Sequence, residues 1–280
     1  MKFGCTVFLL CMLGVSQAQT TTATAPKEGL WNEFTYDLGS IFGGVGHAYS
    51  RPFHWKGDQW KDFGYLTAGT LGLFLVDDEI DHWADGFRDD VPSFIVDYGN
   101  EYGSPENNYM LTGAVYLTGL FTKNEKLRRT GVLLISSATA GGFFQQVAKR
   151  IVGRARPKSG EDSNTFDPLN VDRVFNFDSF PSGHAMLAFT NAYAIGKQFK
   201  NPWVKAGIYT VGMVPGLVRV IDRFHWISDV AFSTVLSIFI VESIDRYLDR
   251  RYDKKYNQQA SKVDWNLHFG LNTVGVAVRF

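Results

Sequence analysis

Thiols are nearly missing from this 280-residue chain: its two cysteines, Cys5 and Cys11, both fall within the first eighteen residues. The remainder therefore has neither a disulfide nor a zinc–thiolate site available to it. Net charge is missing as well, with 28 Lys+Arg against 28 Asp+Glu. Bulk electrostatics thus gives no case for a nucleic-acid partner or for attraction to an anionic membrane surface, and any anion must be held locally. No uninterrupted run of eighteen apolar residues occurs, so the apolar segments read more simply as buried helices than as membrane spans, with short or tilted spans left open. The acidic stretch Asp77-Asp78-Glu79-Ile80-Asp81 and its continuation to Asp90 lacks the ligand alternation and glycine of a calcium loop, and reads as a solvated loop between helices.

What is present begins with Lys2, an apolar run over residues 7–15 and the small-residue site Ser16-Gln17-Ala18. That layout predicts a secretory signal peptide over residues 1–18, and hence export to a periplasm or cell envelope. Cys11 as a lipid-attachment cysteine is disfavoured because Phe8-Leu9-Leu10 supplies none of the small residues such a signal needs. Residues 19–29 are polar and read as a linker. Residues 30–62, with Trp31, Phe34, Tyr36, Phe42, Phe53, Trp55 and Trp60, predict short helices and loops over a larger body. Apolar segments at 63–76, 109–121, 130–144, 185–195, 206–218 and 230–241 predict an all-α bundle of about six main helices, with the helical domain spanning 63–250. At the C-terminus, Trp265, Leu267, Phe269 and Leu271 alternate, then Val274, Val276, Val278 and Phe280, which predicts a small β-hairpin over 263–280.

Three clusters carry chemistry. In the first, Lys149 and Arg156 are seven apart, followed by Pro157; if one helix runs through Gly153, both cations share a face and can meet one anion. In the second, Pro181-Ser182-Gly183-His184 opens an apolar helical run. Free N–H groups there, the Ser182 hydroxyl and the close approach allowed by Gly183 suit a phosphate. In the third, Arg219 precedes His225, and His225 and Asp229 form an i, i+4 pair. The carboxylate would keep one imidazole nitrogen protonated and the other free to attack.

Taken together, these residues resemble the signature of the type 2 phosphatidic acid phosphatase and vanadium haloperoxidase superfamily. That signature is Lys, six residues, Arg-Pro; then Pro-Ser-Gly-His; then Ser-Arg, five residues, His, three residues, Asp. The chain meets every spacing with Lys149, Arg156-Pro157, Pro181 to His184, Arg219, His225 and Asp229. It departs at one place, Val218, where the family has serine.

The resemblance implies a metal-independent phosphatase without a cofactor, acting on phosphate monoesters of small molecules or lipid headgroups and inhibited by vanadate. His225 would attack phosphorus, Asp229 orient it, and His184 protonate the leaving alkoxide and then activate water. Lys149, Arg156, Ser182, Gly183 and Arg219 would bind the phosphate oxygens. Arg154 and Arg223 are left over and read as surface charge or support from behind. The same resemblance admits a vanadium-dependent haloperoxidase, though those chains are much longer. A non-catalytic envelope protein is the third reading, and the intact set of charged positions argues against it.

Overall fold

The computed structural model describes residues 29–169, 175–256, 264–270 and 273–279. The signal peptide and most of the linker expected from the sequence lie outside the described residues. Among the described residues the chain is predominantly helical, with nine α-helices rather than about six. They are α1 (Leu30–Ser50), α2 (Gly57–Phe74), α3 (Asp77–Phe87), α4 (Ser93–Tyr102), α5 (Pro105–Phe121), α6 (Glu125–Val152), α7 (Gly183–Gly196), α8 (Pro202–Ile221) and α9 (Ile227–Tyr256). Two strands, β1 (Asp264–Gly270) and β2 (Thr273–Arg279), pair antiparallel with Trp265 opposite Val278 and Phe269 opposite Val274.

The extra helices arise where apolar density understated helical order. The aromatic-rich segment is mostly one 21-residue helix, α1, instead of short pieces. The acidic stretch forms α3, whose first turn holds Asp77, Asp78 and Glu79. Acidic side chains at a helix N-terminus oppose the positive end of its dipole, so the charge that suggested a solvated loop stabilises a helix start.

Residues 30–248 form one compact unit, and the described residues from 249 onward belong to a second. Within the first, α7 is the centre: Ala185, Met186, Leu187, Ala188, Phe189 and Ala192 are all buried, and the helix packs against α6 on one side and α8 on the other. The long α6 is fixed at both ends by its sequence. Asn124 caps its start by accepting the Leu127 N–H, and Gly153 ends it in the left-handed region at φ 57°. A Cβ there would lie 1.7 Å from the Asp167 carbonyl oxygen, so the crossing loop requires glycine. Two helices, Pro202–Ile221 and Ile227–Tyr256, are long and apolar enough to cross a membrane.

Candidate active site

Three loop crossings bring the sequence clusters to one end of the bundle. Because α6 stops at Gly153, Lys149 and Arg156 do not share a helix face; Arg156 lies on an extended segment beyond the helix. That segment is sewn to the loop preceding α7, with the Arg156 N–H donating to the Asn176 carbonyl and the Ser179 N–H donating to the Arg154 carbonyl. Ser182 caps α7 by accepting the Ala185 N–H at 3.4 Å, which places Gly183 and His184 in the first helical turn. A Cβ on Gly183 would meet the Gln145 side chain at 2.9 Å. The third crossing is the tight turn from α8 into α9, where the His225 N–H donates to the Arg219 carbonyl. Arg223 in that turn sits at φ 58°, anchored by two hydrogen bonds to the Asp81 carboxylate at 3.0 and 2.7 Å.

His225 is 3% exposed and precedes α9, so it and Asp229 do not lie on one helical face. Its Nδ1 donates to the Ser179 backbone carbonyl at 2.6 Å, while the nearest Asp229 oxygen is 3.9 Å away. A carbonyl can only accept, so this contact fixes the proton on Nδ1 and leaves the Nε2 lone pair free. Asp229 works one step behind. Its Oδ2 accepts the Ser179 hydroxyl at 2.5 Å and the Trp226 N–H at 3.0 Å, and its Oδ1 accepts Arg154 at 2.7 Å. The carboxylate thus holds the loop whose carbonyl holds the histidine.

Arg154, expected to be a surface charge or a support, is buried and joins three elements. It donates to Asp229 and Ser228 on α9, to Asp77 on α3 at 2.7 Å, and to the Ser163 carbonyl at 2.9 Å. Asp77, 1% exposed, also accepts the Ser228 N–H at 3.0 Å and hydroxyl at 2.5 Å. Burial raises the Asp77 carboxyl above its ordinary range, against the pull of Ser228 and Arg154. No spacing rule could have linked Asp77 to Asp229, since 152 positions separate them.

The cations surround the two histidines. Burial first, and then the charges of Arg219, His225, Lys149 and Arg156, push the His184 imidazole down to about 3. Burial likewise pushes His225 down to about 4, opposed by Asp229 and reinforced by Lys149 and Arg156. Contacts tie these groups together: Arg219 meets His184, Lys149 and Arg156 both face Asp178, and the adjoining Ser179 holds His225. Arg219 donates to His184 Nε2, and its own Nε is buried with no hydrogen-bond partner among the described residues. Phe224 lies between two guanidiniums, 5.0 Å from Arg219 and 5.7 Å from Arg156. Lys149, 5% exposed, is brought down to about 8 by burial, partly offset by Asp178. The arrangement pairs a neutral imidazole carrying a free lone pair with a second imidazole and a ring of fixed donors, which is suited to nucleophilic attack on a tetrahedral anion.

Helix α4 closes one side. A Cβ on Gly103 would meet His184 Cβ and Cδ2 at 2.8 Å, and one on Gly99 would meet Val218 Cγ2 at 2.6 Å. Val218, where the resembled family has serine, is 1% exposed and packs against α4.

Comparison with known proteins agrees with the motif reading. Residues 130–252 match the model of the PAP2 superfamily. Over 118 residues the chain is 33% identical to a lipid A 1-phosphatase of Porphyromonas gingivalis, covering 40% of this chain and 23% of that protein. It is 30% identical over 103 residues to a lipid A 1-phosphatase of Rhizobium etli, covering 36% and 42% respectively. The chain thus spans less than half the length of these curated relatives. The crystal structure of Aquifex aeolicus LpxE aligns with a TM-score of 0.46 at 19% identity, covering 61% of this chain and 96% of that one. Residues 130–252, which match the PAP2 superfamily, hold Lys149, Arg156, His184, Arg219, His225 and Asp229, so the match falls on the region that carries the candidate site.

Proposed function

We propose that the protein is a phosphatase that hydrolyses phosphate monoesters through a phosphohistidine on His225, and that its substrate is a lipid phosphate. The observation that carries the reading is the fixed tautomer of His225, with Nδ1 donating to the Ser179 carbonyl. Nε2 attacks phosphorus in line as the P–O bond to the leaving alkoxide breaks. The alkoxide takes a proton from His184. Water then attacks the phosphoryl group, giving its proton to His184 and releasing inorganic phosphate and neutral His225. Lys149, Arg156, Arg219, the Ser182 hydroxyl and the Gly183 N–H bind the three non-bridging oxygens, on which charge is spread in the transition state. The Arg219 Nε, buried without a hydrogen-bond partner among the described residues, is one of those donors. His184 acquires its acidic proton when the anionic substrate offsets the surrounding cations, because their charge contributes to its low pKa.

The lipid assignment rests on the names of the relatives and on the surface. Leu71, Met110, Leu117, Phe121, Phe143 and Met213 are exposed on helices α2, α5, α6 and α8, and two helices are apolar enough to cross a membrane. Such a surface suits association with a bilayer. Lipid A carrying its 1-phosphate is therefore the first substrate to offer. Release of inorganic phosphate from it, in detergent with EDTA present, is expected from the wild type and is lost in His225→Ala. Turnover of p-nitrophenyl phosphate without turnover of lipid A would retain the chemistry and reject the lipid assignment. Inactivity on both would reject the phosphatase.

A further inference from the structure

Two of the cations assigned to the phosphoryl oxygens face a single carboxylate oxygen that none of the sequence motifs contains. Asp178 Oδ2 lies 3.5 Å from Lys149 Nζ and 3.9 Å from Arg156 Nη2. The Asp178 side chain is 36% exposed where that of Lys149 is 5% exposed, so the carboxylate sits on the solvent side of the pair. Its backbone is held separately. The Asp178 carbonyl accepts Lys149 Nζ at 2.5 Å, and the neighbouring Ser179 is fixed by Arg154 and His225. The side chain can therefore turn away without moving the loop that orients the nucleophile. Both contacts are longer than a charge-assisted hydrogen bond, so this carboxylate is a loosely held anion beside cations that a phosphate would engage closely.

Resting on the phosphatase reading above, we propose that Asp178 is a specificity-determining residue whose carboxylate competes with phosphate for Lys149 and Arg156. It weakens the hold on free inorganic phosphate, the product, which has nothing beyond its own oxygens with which to displace a carboxylate. An ester brings the contacts of its leaving group as well. Asp178 thereby separates substrate from product in a site whose cations would otherwise retain both.

The test is direct binding of inorganic phosphate by calorimetry to the full-length wild type, Asp178→Asn, Asp178→Ser and Lys149→Ala. It is run at about pH 6, where Lys149, with its pKa of about 8, stays charged. Removing Asp178 also removes a group that raises the lysine, so a higher pH would mix two effects. Phosphate is expected to bind roughly tenfold tighter to Asp178→Asn, a gain of about 1.4 kcal/mol, with Asp178→Ser moving the same way. Unchanged or weaker binding in both folded variants, with binding in the wild type that Lys149→Ala abolishes, would overturn the role of Asp178 alone. Failure of the wild type and every variant to bind phosphate at millimolar concentration would overturn the phosphate site itself.

Discussion

The Ser179 carbonyl accepts the Nδ1–H of His225 at 2.6 Å, and the Ser179 hydroxyl donates to Asp229 at 2.5 Å. One residue thus joins His225 to the carboxylate that was expected to touch it directly. Behind Asp229 stand Arg154 and Asp77. The histidine is aimed by a chain of buried polar groups reaching back to α3.

That chain makes Asp77 a positioning residue although it contacts neither histidine. Asp77→Asn leaves Arg154 buried with one carboxylate in place of two, and breaking a buried pair in this way costs about 3–5 kcal/mol of stability. Denaturant unfolding checks this value. In the folded variant kcat is expected to fall with KM little changed, because the defect lies in the aim of His225 and not in the phosphate donors. A variant as stable as wild type would contradict the network.

Gly103 is a second positioning residue. The added methyl of Gly103→Ala would have to share space with the His184 ring at 2.8 Å, and displacement of a catalytic group by about 1 Å can cost on the order of a hundredfold in rate. Gly64→Ala is the control, since nothing among the described residues lies within 4 Å of its added carbon. Steady-state kinetics should show kcat falling for the first and holding for the second.

Activity should persist well into acid. His225 must be neutral to attack, and with its pKa at about 4 the acid limb of kcat/KM is expected near pH 4 instead of the ordinary histidine value of about 6.5. A pH–rate profile with an acid limb near the ordinary value would show that His225 is not buried among cations.

Folding stability carries the same signature. In the unfolded chain both histidines take up protons near their ordinary pKa, while in the folded chain they resist protonation down to about 4 and about 3. The unfolded state therefore binds more protons between these limits, and stability falls as pH drops through that window. Their contribution is fully present above the unfolded value of about 6.5. Denaturation midpoints measured across the window should decline, and less steeply in His184→Gln.

The local structure around the proposed site was legible because its determinants are short-range. Ser182 as a helix cap, Gly183 and His184 in the first turn, and Arg219 beside His225 all follow from local sequence. What was not legible depended on distant contacts. The reading of Lys149 and Arg156 on one helix failed because Gly153 adopts a left-handed conformation at the crossing with Asp167. The placement of His225 and Asp229 on one helical face failed because α9 begins only at Ile227; the two stand 3.9 Å apart, with the Nδ1 proton taken by the Ser179 carbonyl. The acidic stretch looked like a solvated loop, yet Asp77, Asp78 and Asp81 face Arg154, Ser163 and Arg223, partners that lie 77 to 142 positions away. Val218 reads in the sequence as a lost hydroxyl; in the fold it is the surface on which Gly99 of α4 rests.

The most direct test is capture of the intermediate. Wild-type protein mixed with excess p-nitrophenyl phosphate, quenched within the first turnover into alkali, where phosphohistidine survives, is analysed by intact mass and peptide mapping. The account predicts the mass of one added phosphoryl group, located on His225 and absent from His225→Ala. Turnover without any phosphoryl-protein, or a phosphoryl group on another residue, would contradict it.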